Sequence, residues 1–200
     1  MGSSEEPPDL TPELLIGAYC QGVFPMADEV GTIFWYDPDP RAILPLESFH
    51  VPRKLRRTLR RGEFEVRFDT SFRAVMEACA HPAPGREVTW ISAELIEAYV
   101  LLHELGFAHS VETWLGGELV GGLYGVAVRG LFAGESMFSR VTDASKIALA
   151  HLVERLRRGD FRLLDVQFLT EHLAKFGAVE IPRSRYRRLL AQALAVRARF

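Results

Sequence analysis

Long apolar runs are missing from this chain of 200 residues. Without about 18 consecutive apolar residues there is no candidate for a membrane-spanning helix. The opening stretch, MGSSEEPPDLTPEL, is acidic and proline-rich and carries no apolar signal core, so it reads as the terminus of a cytoplasmic protein. Cysteine is scarce: Cys20 and Cys79 make no disulfide framework, and no zinc-ligand spacing of Cys and His appears. The common catalytic signatures are absent as well. There is no G-x-S-x-G elbow, no H-E-x-x-H and no Walker loop, and Gly121, Gly122 and Gly125 do not complete G-x-G-x-x-G. Those glycines instead mark bulges or close backbone approach within a strand. Ser136 has no histidine in a recognisable pattern, which argues against a serine hydrolase.

What is present suits a soluble globular protein: 48% apolar and 25% charged residues are enough for a sizeable core. The length fits one ordinary domain, or a main domain with a small appendage. The formal charge of −2 hides an uneven distribution. RKLRRTLRR places Arg53, Lys54, Arg56, Arg57, Arg60 and Arg61 around a helix whose Leu55 and Leu59 share one face. Such a run is either a solvated surface or a grip on phosphates. A second basic group, Arg183, Arg185, Arg187 and Arg188, lies near the C-terminus.

The element pattern is legible along most of the chain. Thr11-Pro12 opens a helix that ends near Gly22. Residues 31–45, rich in proline, read as extended irregular chain joining an N-terminal portion to the rest. A strand at 64–68 leads into a helix to about Ala80, and a loop with Pro82, Pro84 and Gly85 leads to Trp90. A second helix follows, capped by Ser92 and stopped by Gly106. Strands at 109–115, 119–128 and 131–137 are joined by Gly116-Gly117 and Arg129-Gly130 turns. A helix capped by Thr142 or Asp143, a strand at 163–168, a short helix ending at Gly177, a strand at 179–181 and a helix from Ser184 complete an α+β order.

Three polar residues stand out among apolar neighbours. Asp165 and Gln167, two apart on a strand, point to one face, with Leu164, Val166 and Phe168 on the other. Glu135 lies between Leu131, Phe132, Ala133, Met137 and Phe138, where a carboxylate is costly unless something binds it. These residues either serve the fold or line a site. Trp35, Trp90 and Trp114 flank glycine- or proline-rich bends, where an exposed pair stacks a nucleobase well.

The segments GVFPMA, FWYDPDPRAILP, TWI, AYVLLHELGFAHSVETW, LVGGLYGVAVRGLFAGESMFSR, ASKIAL, DVQF and HLAKFGAVEIPR together resemble the leucyl/phenylalanyl-tRNA–protein transferase family. The resemblance runs from about Leu14 to Tyr186. It implies a small N-terminal domain, taken as residues 1–50, and a GNAT-like (acetyltransferase-type) domain over 51–200 that needs no cofactor or metal. It also implies transfer of Leu or Phe from aminoacyl-tRNA to proteins with N-terminal Lys or Arg, the product passing to an N-degron protease adaptor. Carried over by position, Asp165 and Gln167 form the catalytic pair, with Asp165 hydrogen-bonding the Gln167 amide, and Glu135 orients the substrate. Leu123, Phe132, Met137 and Leu164 form the apolar pocket, and Trp35 and Trp90 contact the terminal adenosine. The run from Arg53 to Arg61 would grip acceptor-stem phosphates, and Glu135, Glu112 and Asp143 are candidates for reading the basic acceptor. Val166 stands where the family often has Cys. A transferase with another acceptor or acyl preference, and a non-catalytic tRNA-binding protein on the same fold, remain the alternatives.

Overall fold

The computed structural model describes residues 10–82 and 89–200; the acidic start before Leu10 and the loop at Pro84-Gly85 lie outside the described residues. Helix α1 (Pro12–Gln21) begins where the Thr11 hydroxyl accepts the Leu14 N–H at 3.2 Å, and it stops at Gly22, left-handed with φ 79°. A hairpin of β1 (Phe24–Ala27) and β2 (Ile33–Tyr36) follows, then β3 (Arg41–Ile43). Helix α2 (Arg53–Arg61) holds Leu55 buried and its basic residues exposed. Next come β4 (Glu65–Phe68), α3 (Phe72–Ala80) and α4 (Ala93–Glu104), the last capped by Ser92. The long meander is β5 (Ala108–Leu115), β6 (Glu118–Val128) and β7 (Leu131–Ser139). The chain closes with α5 (Ala144–Arg158), β8 (Leu163–Gln167), α6 (Glu171–Ala174), β9 (Val179–Ile181) and α7 (Arg183–Leu194).

Seven strands form one sheet in the order β4-β5-β6-β7-β8-β3-β9, antiparallel except for the parallel β7–β8 pair. The α5 crossover makes that parallel pairing possible. Helices cover both faces. Leu15 and Tyr19 of α1, with α3, α4 and α7, pack on the side that receives Tyr124, Ala133 and Phe138. Helices α2, α5 and α6 pack on the other, which receives Leu123, Phe132 and Leu164.

The α+β order is as expected, but two short elements were not. Within 31–45 the chain forms β2 and β3, not irregular structure. Strand β3 is three residues long and, among the described residues, pairs with β8 and β9, more than a hundred residues away, so no local pattern announces it. The expected boundary at residue 50 falls after β3, which is paired on both sides inside the main sheet. The caps also differ from expectation. Thr70 donates its hydroxyl to Glu112 and Asp143 pairs with the Lys146 side chain, and neither Ser71 nor Asp143 accepts a capping bond from a backbone N–H of its helix.

Candidate active site

The site follows from one irregularity in β7. Tyr124 pairs with Ser136 and Gly125 with Gly134, so Glu135 is left out of the ladder as an extra residue. A bulge of this kind bends its strand and re-aims the side chain it carries. It also reverses the inside–outside alternation: Phe132 and Met137, five residues apart, face the same side of the sheet. Gly125 permits it, because a Cβ there would meet the Ala133 carbonyl at 2.3 Å. Strand β8 pairs with β7 only from Leu163 to Asp165, and then with β3 through Gln167. Beyond Ala133 the two parallel strands therefore part.

A cavity of about 500 Å³ occupies the gap. On the α5–α6 side its wall is oily, with Leu123, Met137, Leu149, Leu152, Leu164 and Leu173. On the other side lie Phe24, Met26, Trp90 and Phe168, and Glu135 and Gln167 stand between. Gln167 has φ 58°, a left-handed conformation that turns Phe168 out of the strand and against Phe24, edge to face at 5.9 Å. Phe168 is consequently 46% exposed in the cavity wall, where the alternation placed it in the core.

Polar groups at the neck form two linked networks. Gln167 Nε2 donates to Glu135 Oε1 at 3.1 Å. Glu135 also interacts with the Tyr19 hydroxyl, which in turn bonds the Tyr99 hydroxyl. Both tyrosines are buried, and burial together with the Glu135 charge raises their pKa well above the ordinary value. Burial pushes the Glu135 carboxyl up to about 8; the Tyr19 hydroxyl and Arg41 oppose the shift and the Asp165 charge adds to it.

The second network is centred on Asp165, which is 1% exposed. Its Oδ1 accepts from Arg41 Nε at 2.9 Å and from the Gln167 backbone N–H at 3.0 Å. Its Oδ2 accepts from Arg41 Nη2 at 2.6 Å and from the Tyr186 hydroxyl at 2.7 Å. Arg41 lies between the Phe24 and Tyr186 rings, 4.7 and 4.5 Å from their centres, and also donates to the Gly22 carbonyl. Burial opposes the Arg41 charge, but the bidentate bond to Asp165 outweighs it and raises the Arg41 pKa. A carboxylate so occupied has no free lone pair for a substrate.

The expected groups are thus only partly assembled. Glu135, Gln167, Trp90, Leu123, Met137 and Leu164 all line the cavity. Asp165 does not, and the Gln167 side-chain amide bonds Glu135, not Asp165 as expected, because Arg41 and Tyr186 occupy the Asp165 carboxylate first. Phe132 also falls outside: it precedes the bulge, where β7 and β8 are still paired, and it stacks on Phe200 at 5.5 Å and edges Phe161. Trp35 lies over the groove beside α1 with Leu14 and Gly17, on the opposite side of β2 from the Tyr36 ring that stacks on Phe24. Met26, its hairpin tied to Trp90 by the Ala27 N–H to Trp90 carbonyl bond, occupies the cavity wall instead. The six basic residues of α2 are exposed and away from this cavity wall. Glu112 is buried and bound by Thr70, Ser71 and Ser110, so it is not free to read an acceptor.

Sequence reasoning missed Arg41, Tyr19, Tyr99, Tyr186 and Met26, although RAILP and GVFPMA contain two of them. It also read His172 as a core or surface residue, whereas His172 lines the cavity, its buried Nε2 lacking a hydrogen-bond partner among the described residues.

The family model for leucyl/phenylalanyl-tRNA protein transferase matches residues 43–191, and the model for that family's N-terminal domain matches residues 8–39. A leucyl/phenylalanyl-tRNA–protein transferase of Herpetosiphon aurantiacus is 62% identical over 96% of this chain and 98% of its own length. One from Paramagnetospirillum magneticum is 59% identical over 96% of this chain and 92% of its own. Among solved structures, an acetyltransferase from Desulfovibrio desulfuricans assigned to the GNAT family aligns with 50% of this chain and 70% of its own, at 17% identity and a TM-score of 0.37. On the match across most of its length and the identity of these relatives, the chain belongs to the leucyl/phenylalanyl-tRNA–protein transferase family.

Proposed function

We propose that this chain transfers a leucyl or phenylalanyl group from its tRNA ester to the α-amine of proteins that begin with Lys or Arg. The observation that carries this reading is the cavity itself: an oily chamber reached through a neck at which Glu135 and Gln167 are hydrogen-bonded to each other. The apolar side chain of the donor, unbranched at Cβ, fills the leucine-lined half, while its terminal nucleoside lies against Met26, Trp90 and Phe168. Met137 adapts to either a leucyl or a phenylalanyl group.

The ester is already activated, so the tasks are positioning and one proton transfer. The acceptor amine attacks the ester carbonyl, the bond to the ribose oxygen breaks, and one amine proton ends on the departing ribose hydroxyl. Glu135 Oε1 accepts from Gln167 Nε2, which keeps that nitrogen toward it and presents the amide oxygen to the attacking amine. A carboxyl near 8 is matched to an α-amine of about the same pKa, so a proton passes between them at little cost. Asp165 is a positioning residue in this scheme: with Arg41 it anchors the backbone N–H of Gln167 in its left-handed turn. Glu135 is the one acidic side chain lining the cavity among the described residues, and the charge it gains as it loses its proton near pH 8 favours a basic N-terminus. The exposed arginines of α2 hold acceptor-stem phosphates without reading sequence. The product, with its new Leu or Phe terminus, is a ligand for a protease adaptor, and the setting is the cytoplasm.

The test is transfer of radiolabelled Leu or Phe from tRNA to peptides beginning with Arg, Lys, Asp or Glu. Label on Arg and Lys peptides is expected. Label confined to Asp and Glu peptides would indicate another acceptor class, and tRNA binding with no transfer to any peptide would refute the catalytic reading.

A further inference from the structure

A second cavity, of about 330 Å³, lies outside the site described above. It is formed where the C-terminal half of α5 meets the end of β4 and the docked tail, and His151, Arg155, Arg158 and Arg199 line it with Phe68 and Phe200. Glu154 is its one acidic side chain among the described residues, and that carboxylate pairs with Arg158. Arg155 is clamped between the Phe68 and Phe200 rings, 4.3 and 4.7 Å from their centres. Its Nε is buried without a hydrogen-bond partner, and neither Arg155 nor Arg199 has a carboxylate within ion-pair distance among the described residues.

A buried donor without an acceptor is costly, and in this cationic hollow the described residues supply none. The tail is held in register for this arrangement. Gly159 and Arg199 bond through their backbones at 3.0 Å, and a Cβ at Gly159 would lie 2.0 Å from the Arg199 carbonyl. Phe200 stacks on His109 at 4.1 Å and on Phe132, so Arg199 is carried by an anchored segment. The hollow also shares its side of the sheet with α2: Leu55 and Leu59 join the same core as Phe68, Ala198 and Phe200, and α2 packs on α5. Two sets of cations thus border one helix on one face of the protein.

We propose that the Arg155–Arg158–Arg199 hollow is a second RNA-phosphate site, taking backbone phosphates of the donor tRNA away from its aminoacylated end. This rests on the aminoacyl-tRNA reading above. Arginine suits the task because its planar guanidinium binds phosphate oxygens in pairs, and Arg155 is pre-oriented by its two rings. Contacts of this kind add affinity and salt dependence without sequence preference.

Arg155 is packed into the fold, so the test uses the exposed pair, Arg158→Gln with Arg199→Gln, in the full chain. Arg73→Gln, on the opposite face and paired with Glu97, serves as the control. Binding of Phe-tRNA is measured between ~50 and ~200 mM salt, together with transfer from Phe-tRNA and from a minimal phenylalanyl-adenosine ester. Loss of two phosphate contacts should flatten the salt slope by about 1.5, so that the wild type loses about tenfold more affinity across that range than the double variant. KM for Phe-tRNA should rise, while kinetics with the minimal ester and all properties of R73Q stay unchanged. Equal slopes for wild type and double variant would overturn the site, and so would an equal loss with the minimal ester, which would place the arginines in the fold. If the wild type transfers from neither donor, the proposed activity fails, and the binding slopes still decide this site separately.

Discussion

Replacing Glu135 with Gln tests the electrostatics of the neck directly. The carboxyl titrates near 4.5 in the unfolded chain and at about 8 in the folded protein, chiefly because burial disfavours its charge. Between those values the folded state keeps a proton that the unfolded state has lost, so stability falls as pH rises through this window and levels off above it. The full displacement corresponds to roughly 3–5 kcal/mol, the lower figure allowing for water in the cavity. Gln keeps the size and an oxygen that can accept from Gln167 Nε2, but it carries no charge. Urea unfolding of both proteins from pH 5 to pH 9 isolates the effect, since every other titrating group is common to the two. The variant should gain on the wild type by that amount as pH rises, with little difference at the acid end, and its transfer rate should lose the pH limb near 8. Parallel stability curves across the range would refute the raised carboxyl and the proton-handling role with it.

Other substitutions probe the remaining parts. Arg41→Met leaves Asp165 buried and unpaired and should cost about 3–5 kcal/mol in chemical denaturation, whereas Arg41→Met with Asp165→Leu recovers much of that stability but not transfer, because the Gln167 backbone loses its anchor. Trp90→Ala should raise KM for the aminoacyl-tRNA by about tenfold or more, while Trp35→Ala changes it by less than about twofold; equal effects would return Trp35 to the donor site. Gly125→Ala places a methyl against the Ala133 carbonyl and should destabilise by about 2–3 kcal/mol, with a fall in melting temperature as the readout. Arg56→Gln with Arg60→Gln on α2 should weaken tRNA binding and reduce its salt slope by about 1.5; an unchanged slope would make that helix a solvated face.

Local chemistry made much of the fold readable. Gly116 and Gly117, at φ 60° and 84°, supply the hairpin turn that their sequence demands. Ser92 and Thr11 cap the helices they precede, and alternation locates β5 to β7 within a residue or two. The errors share one cause, which is that partners distant in the chain outrank local pattern. Arg41 and Asp165 are 124 residues apart, and neither signals that the other will neutralise it. Alternation gave Asp165 and Gln167 a polar face of their own, but helices bury both sides of the sheet, and only Gln167 reaches the cavity. Counting by twos puts Phe132 and Met137 on opposite faces, whereas the bulged Glu135 shifts the count and brings them to one face, and only Met137 lies where β7 and β8 have parted.

The order of amino acids by itself determined most of the elements, β2 and β3 excepted, the glycine positions where strands approach closely, the basic helix, and the family to which the chain belongs. These depend on neighbours within a turn or a hairpin, or on motifs that persist in a row. Which carboxylate faces the cavity, which aromatic side chains enclose it and where the parallel strands separate were decided only in three dimensions. A buried charge goes where a counter-charge is available, and a side chain lines a cavity only when the strands around it have already parted.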